Sequence, residues 1–472
     1  MAVARGLYLM AGTALLVASC ATYTPRPLVP QESASALEAR TLDDPRLRQF
    51  ISNANPAAAE AATGSWDLTA LTLAALYYHP DIEVARAKLV TSRAAVITAG
   101  QRPNPSLSIT PTKHTTILDP SAWTVGIVVD VLLETFGRRG YRIAWAEGLA
   151  EAARDDLATA SWQVRGGVRS ALLALWAAET RLELTERRRA LQEQLVGLLE
   201  RRLVQGAASA LDVTRERINF DQISLAVEDA NRQAAEARVS LAMAIGVPAR
   251  ALDGVNLSLK GFDAPASPPD DVADLRREAL LGRTDVRALL AEYEASQSAL
   301  QLEVARQYPN IALGPGYTYD QGDNQYMLGL STELPIFNQN QGPIAEAEAR
   351  RREAGARFTA LQARIIGEID RATALYHAAT RTLATADGLR SAEDRHSQQV
   401  ERSFRAGEAD RPTLLGAQIE LAAIELSRFD AVVQQRQALG LLEDGLKHPL
   451  FDPTAALFMP KSGPHRQTEP TL

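Results

Sequence analysis

Residues 141–247 decide the fold, and the centre of this stretch, residues 164–206, reads VRGGVRSALLALWAAETRLELTERRRALQEQLVGLLERRLVQG. No proline occurs between Pro120 and Pro248, and the stretch is rich in Ala, Leu, Glu, Arg and Gln, which all favour helix. Apolar residues recur at alternating steps of three and four, which predicts a coiled-coil seam: Val164, Val168, Ala171, Leu175, Ala178, Leu182, Leu191, Leu195 and Leu198. As one helix, the 64 residues from Tyr141 to Val204 would span roughly 96 Å, about three times the hydrocarbon thickness of a bilayer.

This long helix is predicted to turn back at Gly206. Glycine readily adopts the left-handed conformation that ends many helices. Ser209 is a suitable N-cap for the next helix, and Asp212 stands three residues later, much as in a capping box. Residues 141–247 therefore predict a long helical hairpin whose tip is Gly206.

The same unit occurs twice in the chain. Leu71 to Pro105 matches Leu275 to Pro309 without a gap, at a constant offset of 204 residues. From Phe136 onward the offset is 201, which pairs Gly206 with Gly407. Such a repeat indicates two copies of one supersecondary unit placed side by side. The predicted organisation is repeat 1 over 64–260, a proline-rich linker over 261–271, and repeat 2 over 272–447 with a second helical hairpin over 343–446.

Between the two matched segments of each repeat, the apolar pattern changes from helical to alternating. Residues 106–136 and 310–337 each predict a β-hairpin whose strands are apolar on one face, small and polar on the other, and carry Trp or Tyr near their ends. Strands of about ten residues with this pattern are typical of membrane β-barrels. Four strands cannot close a barrel, and open sheet edges are not tolerated in lipid. The sequence therefore predicts a mainly α protein whose membrane barrel is completed by other copies of the chain, and three copies in total would give twelve strands.

The N-terminus has the features of an export signal. Residues 1–19 contain a single basic residue, Arg5, and an apolar core from Leu7 to Val17, and small residues precede Cys20. This arrangement resembles the lipobox of bacterial lipoproteins, in which the cysteine becomes the acylated first residue. Cys20 is the only cysteine in the chain, so it has no partner for an intramolecular disulfide. The alternative is an ordinary secretory peptide cut elsewhere.

The termini around the repeats have no sustained period. Residues 20–63 contain five prolines and are predicted to form a lipidated tether or to wrap another surface. By resemblance to lipoprotein sorting, Ala21 favours the outer membrane. The tail over 448–472 also holds five prolines and is predicted to be disordered.

Composition and motifs exclude several classes of function. The formal net charge is −7 and no basic patch interleaves with aromatics, so nothing supports nucleic-acid binding. After the signal, no run of 18 apolar residues predicts a membrane helix. No phosphate-binding loop, zinc-protease motif or serine-nucleophile motif occurs, and the six histidines and five methionines show no ligand spacing. We expect no catalysis, no cofactor and no metal site.

The chain resembles the TolC-like outer membrane efflux proteins over about residues 66–446. The resemblance rests on the gapless repeat, on the strand starts at Pro105 and Pro309, on the strand ends at Phe136 and Phe337, and on the paired tip segments 203–206 (LVQG) and 404–407 (FRAG). The family's tip usually reads Val-Gly-Leu, whereas here it reads Gln-Gly-Ala and Ala-Gly-Glu. Residues 334–342, LPIFNQNQG, look most like the heavy-metal (cobalt-zinc-cadmium) branch.

The resemblance implies a fold, a location and partners. The fold would be a homotrimer in which a twelve-stranded barrel in the outer membrane continues into a periplasmic helical tunnel. The function would be a passive exit duct for metal cations or small toxic compounds, delivered by an inner-membrane RND-type pump and a periplasmic adaptor. A duct of this kind needs no tight ligand site, because tight binding would slow exit.

Two sets of residues are the candidate functional sites. The predicted gate and adaptor-docking surface at the tips consists of Leu203, Gly206, Asp212, Phe404, Gly407, Glu408, Asp410 and Arg411. The predicted lumen carboxylates are Asp130 and Glu333, which share the polar faces of their strands and would form rings that favour cations. The alternative for these two is local pairing with Arg138, Arg139 or another base.

Besides a duct for metal cations, three other functions were considered from the sequence. A duct for organic compounds would share the whole architecture. A structural coiled-coil lipoprotein would explain the helices and Cys20, but not a β-hairpin at the same point of each repeat. An enzyme would need a site that the sequence does not show.

Overall fold

The structure is a computed structural model that describes residues 23–116, 121–259, 262 and 272–450. The predicted signal and Cys20, most of the predicted linker and the tail beyond residue 450 lie outside the described residues. Within the described part, helices α6 and α7 form the hairpin of repeat 1, and α10 and α11 form that of repeat 2. The helices are α1 (Pro30–Glu38), α2 (Pro45–Ala54), α3 (Pro56–Ala61), α4 (Leu68–Tyr78), α5 (Pro80–Gly100), α6 (Arg138–Val204), α7 (Ala210–Ile245), α8 (Val272–Gly282), α9 (Thr284–Ala305), α10 (Gln341–Arg405) and α11 (Arg411–Leu446), and the strands are β1 (Ser106–Lys113), β2 (Trp123–Leu133), β3 (Ile311–Asp320) and β4 (Asp323–Thr332).

Helices α6 and α10 are the longest elements of the fold. Helix α6 has 67 residues and α10 has 65, so each is roughly 100 Å long at 1.5 Å per residue. The return helices α7 and α11 have 36 residues each and cover only the half nearer the tip. The other half of α6 packs against α5 and against α9 of the second repeat. Helix α6 begins three residues before its predicted start and α10 begins two residues before. In α10, Pro343 fits in the first helical turn, because its missing N–H has no helical partner there.

Each repeat has a hydrophobic core about halfway along its long helix. The first surrounds Leu172 and Leu175 of α6, and the second surrounds Ile365 and Ile369 of α10. Helices α2 and α4 close the first core with buried leucines and isoleucines, and α8 and α9 close the second. The cores therefore form a collar at mid-length, and both ends of the rods extend beyond it.

The proline-rich N-terminal segment packs on this collar. Pro30, Pro45 and Pro56 each begin a short helix, the position in which proline is best tolerated. Leu47 and Ile51 of α2 are fully buried in the first core. Where it is described, this segment packs on the fold, as in the predicted alternative that it wraps another surface, and is not a free tether. The sequence pattern did not show the three helices, because each is too short to develop a period.

A buried charge cluster joins the two repeats at the collar. Glu443 of α11 is completely buried and pairs with Arg165 and Arg169 of α6, the latter at 3.2 Å. Arg169 also pairs with Asp444 at 2.7 Å. Gly166 makes room for this approach, since a Cβ there would lie 2.9 Å from a carboxylate oxygen of Asp444. The cluster fixes how α6 and α11 lie against each other.

Across the described residues, none of the helices is long and apolar enough to be a membrane span.

Candidate functional site: the hairpin tips and the sheet

The first tip is a glycine turn followed by a capped helix. Gly206 has a φ of 74°, and the N–H of Ala207 donates to the carbonyl oxygen of Arg202 at 2.8 Å. The N–H of Asp212 donates to Ser209 Oγ at 3.1 Å, and that hydroxyl donates to Asp212 Oδ2 at 2.7 Å. The turn and the cap lie where the sequence predicts them, and Asp212 serves to hold the start of α7.

The second tip repeats this geometry. Gly407 has a φ of 78°, and the N–H of Glu408 donates to the carbonyl oxygen of Ser403 at 2.8 Å. Asp410 is the N-cap of α11 and accepts from the N–H of Thr413 at 3.1 Å and from its hydroxyl at 2.7 Å. A Cβ built on Gly206 or on Gly407 would meet nothing within 4 Å. Within the chain, both glycines adopt the left-handed conformation that the turns require, and the space around them is open.

An ion pair joins the two tips within one chain. Arg202, in the last turn of α6, donates to Asp410 Oδ2 at 2.7 Å. The hydrogen bond from Arg202, followed by those from Thr413, lowers the pKa of Asp410 to about 2. Asp410 therefore caps α11 of the second hairpin and, through Arg202, also bonds to α6 of the first hairpin. Asp410 was predicted from the sequence and Arg202 was not, although a cation in the last turn of a helix interacts favourably with the helix dipole.

The remaining predicted tip residues lie on the surface around this pair. The guanidinium carbon of Arg411 is 5.9 Å from the centre of the Phe404 ring, a cation–π distance. Glu408 is exposed and accepts from Ser403 Oγ at 3.5 Å. Leu203 is 37% exposed, but its neighbour Val204 is 89% exposed, which makes Val204 the more accessible apolar contact.

At the opposite end of the hairpins, the four strands form one antiparallel sheet in the order β1-β2-β3-β4. The register pairs Ile109 with Ile127, Ile127 with Tyr317, and Tyr317 with Tyr326, so one face is apolar across all four strands. On this face Ile109 is 58% exposed and Tyr326 is 84% exposed. Within the described residues, β1 and β4 each have one unpaired edge. The sheet thus combines a broad exposed apolar face with two open edges, features that are uncommon on a free protein surface.

Asp130 and Glu333 lie on the polar side of this sheet. Both are exposed, and Asp130 packs over β3 at a point where a Cβ on Gly314 would lie 2.8 Å from its Oδ1. In the part of the chain that the structure describes, neither carboxylate forms an ion pair with a base. Arg138 instead donates to backbone carbonyls at the end of α9, and Arg139 donates to the carbonyl of Gly100. Burial lowers the pKa of Arg138, and Glu333 offsets part of this through space.

A third cluster was not expected from the sequence. Glu393 and His396 of α10 and Glu420 of α11 each bring one ligand atom within 4.8 Å of the other two. The Glu-x-x-His spacing of Glu393 and His396 could have indicated this pair, because residues three apart lie on one face of a helix. The third member, Glu420, comes from the antiparallel helix and could not be assigned from spacing.

The sequence profile of the outer membrane efflux protein family matches residues 71–247 and 275–444, the two predicted repeats. The chain belongs to this family. The family resemblance drawn from the repeat, the strand ends and the tips is thereby confirmed.

Two characterised relatives differ in what their names say they export. The chain is 25% identical over 271 residues to the cobalt-zinc-cadmium resistance protein CzcC of Cupriavidus metallidurans, and the match covers 57% of this chain and 62% of CzcC. It is 25% identical over 407 residues to the pyoverdine export outer membrane protein OpmQ of Pseudomonas aeruginosa, and that match covers 80% of this chain and 83% of OpmQ.

Among solved structures, CusC has the same fold. It superposes with a TM-score of 0.64 at 16% identity, over 81% of this chain and 92% of CusC.

Proposed function

We propose that three copies of this chain form a passive exit duct through the outer membrane for metal cations, which an inner-membrane RND-type pump delivers through a periplasmic adaptor. The observation that carries the proposal is the four-stranded sheet with an exposed apolar face and two open edges at the end of hairpins roughly 100 Å long. Twelve strands from three copies would pair every edge and place every apolar face against lipid.

The polar side of the sheet suits cations. This side is made mainly of small and polar residues, and Asp130 and Glu333 extend from it without a paired base in the described residues. Threefold symmetry would turn each carboxylate into a ring of like charge, which attracts cations and repels anions. CzcC, a relative whose name refers to cobalt, zinc and cadmium resistance, supports metal ions as the cargo.

The second candidate cargo is a small organic compound. The match to OpmQ, a pyoverdine exporter by name, covers a larger share of both proteins than the match to CzcC. The two candidates differ in cargo and not in architecture. A strain that lacks this chain's gene would become sensitive to cobalt, zinc and cadmium salts under the first, and would retain an exported organic compound under the second.

The tips are proposed to be the gate and the docking surface for the adaptor. They are the most distant points from the sheet, and two per chain would place six around the mouth of the duct. Phe404 and Leu203, with the more exposed Val204, supply apolar contacts, and the link between Arg202 and Asp410 supplies a polar closure.

Variants at the tip glycines test this assignment. A Cβ built on Gly206 or Gly407 meets no heavy atom within 4 Å, so the main expected cost of a leucine there is the left-handed backbone, about 1–2 kcal/mol. We expect efflux to be lost while the amount of membrane-inserted trimer stays near normal. Gly254→Leu is the matched control, because Gly254 also has a positive φ (73°) with open surroundings but lies far from the tips. Loss of trimer in parallel with efflux would show that the tip glycines act in folding alone.

Anchoring through acylated Cys20 is also part of the proposal. The support is the sequence alone, because Cys20 lies outside the described residues. Mass spectrometry of the mature N-terminus tests whether Cys20 is acylated, and an unmodified start at Ala21 or later would contradict the anchoring. Because the sheet itself would be inserted in the membrane, Cys20→Ser is expected to reduce assembly more than to release the protein.

A further inference from the structure

The cluster of Glu393, His396 and Glu420 lies between the arms of the second hairpin. Its ligand atoms all lie within 4.8 Å of one another. Glu393 is partly buried, whereas His396 and Glu420 are exposed. His396 is nine residues before the end of α10, which places the cluster roughly 14 Å from the tip.

The contacts between α10 and α11 on the collar side of the cluster are of a different kind. Arg390 pairs with Glu425 at 3.5 Å, and Arg428 pairs with Asp387, so these levels of α10 and α11 are joined by a base and an acid. At the level of the cluster, two carboxylates and an imidazole come together instead. Among the described residues, none of the three side chains forms an ion pair or a hydrogen bond with a base. Two carboxylates this close repel each other unless a cation lies between them.

Glu393 supplies the independent observation. Its Oε1 atom is shielded from solvent, yet it has no hydrogen-bond partner within the described part of the chain. A buried acceptor without a partner is destabilising, and more so if it is charged. A cation bound between Glu393, His396 and Glu420 would satisfy this oxygen and remove the repulsion at once.

We propose that these three residues bind a divalent transition-metal ion such as Zn²⁺ or Co²⁺. Zinc binds imidazole nitrogen and carboxylate oxygen at about 2.0–2.2 Å, so two ligand atoms of a tetrahedral ion lie roughly 3.4 Å apart. Side-chain rotations would bring the three ligand atoms to this spacing from their observed separations, which are all within 4.8 Å. An imidazole among the ligands favours Zn²⁺ or Co²⁺ over Mg²⁺ and Ca²⁺, which prefer oxygen alone. Three protein ligands leave the fourth position to water, so the ion stays exchangeable.

A bound ion would join α10 to α11 close to the tip. Two ligands come from one helix and one from its antiparallel neighbour, so the ion restrains sliding and separation of the two arms. This inference goes beyond the proposed duct function and does not depend on it, because a metal ion can bind here whatever the duct exports.

The test is metal binding by the full-length protein in detergent, purified with a tag that contains no histidine. Calorimetric titration with Zn²⁺ should show one site per chain, and Co²⁺ should give an absorption band from a site of low coordination number. His396→Gln and Glu420→Gln should each weaken Zn²⁺ binding about tenfold or more. His377→Gln is the matched control, since His377 is an exposed histidine on the same helix and should bind as wild type does.

A second readout tests the restraint between the helices. Zn²⁺ should slow amide hydrogen exchange in residues 390–420 of the wild type and not of His396→Gln. Absence of binding in the wild type, or binding that His396→Gln and Glu420→Gln leave unchanged, would overturn the proposal. A different result would contradict the duct proposal: a strain without the protein that keeps normal susceptibility to metals and drugs.

Discussion

Asp410→Asn is predicted to loosen the closed state of the tips without unfolding the helix that Asp410 caps. Asparagine is as good an N-cap as aspartate, so the bonds to Thr413 are retained and only the charge facing Arg202 is lost. Asp410→Ala would remove cap and charge together and would not separate the two effects. The isosteric change therefore isolates the 2.7 Å link between the hairpins.

The size of the effect follows from the exposure of the pair. The side chains of Arg202 and Asp410 are 32% and 48% exposed, so solvent screens their attraction. A pair of this kind contributes about 0.2–1 kcal/mol, and three copies in a trimer would contribute about 0.6–3 kcal/mol to the closed state. Loss of all three should raise the ratio of open to closed ducts roughly 3- to 160-fold.

The same link predicts how opening depends on pH. Because the folded pKa of Asp410 is lowered to about 2, below the ordinary value of about 3.9, its contribution is fully present above about pH 4 and is lost as the pH falls toward 2. Opening of the wild type should therefore not rise between pH 8 and pH 5 through this residue. Asp410→Asn should be open to the same degree across that range.

Single-channel conductance in planar bilayers is the assay. Arg202→Gln should raise the open fraction by about as much as Asp410→Asn, and the double variant should be no more open than either single variant, as a shared interaction requires. Glu346→Gln is the control, because it breaks an exposed pair with Arg350 far from the tips. Strictly additive effects, or an unchanged open fraction in both single variants, would refute the reasoning.

Three further variants test other parts of the structure. Glu443→Gln leaves two buried arginines facing a neutral amide and should destabilise the protein by about 3–5 kcal/mol, measured as a lower melting temperature in detergent. A loss of stability below about 1 kcal/mol would contradict the role of the buried cluster. Asp130→Asn combined with Glu333→Gln should shift the reversal potential toward anions, and an unchanged potential would show that neither carboxylate faces the conduction path. Gly246→Ala should reduce the yield of folded protein, because its φ is 87° and the new Cβ would lie 3.0 Å from the backbone of Tyr78, and a normal yield would contradict that close approach.

The sequence was sufficient for every feature that depends on local pattern. The coiled-coil seam around Leu175 and the absence of proline predicted α6, and the repeat carried the same element to α10. Gly206 and Gly407 predicted the turns because positive φ is a property of single residues. The alternation of small and apolar residues predicted all four strands and which side of the sheet is apolar.

The short N-terminal helices could not be predicted in this way. Helix α2 has 10 residues and α3 has 6, too few for an apolar period to be distinguished from chance. Their burial depends on the cleft that α4, α6 and α7 form, and the α6 and α7 residues of that cleft are over a hundred positions away in the sequence.

By itself, then, the sequence determined the repeated unit, its helical and strand segments and its glycine turns, because each of these follows from spacing along the chain. Only the tertiary structure decided which side chains meet across helices: Arg202 with Asp410, Arg165 with Glu443, and His396 with Glu420. In each pair the residues come from different helices, and their meeting depends on the axial stagger and rotation of one helix against the other. A seam of similar apolar residues allows two helices to pack at several relative axial positions, and side-chain packing in the two cores of the collar selects one of them.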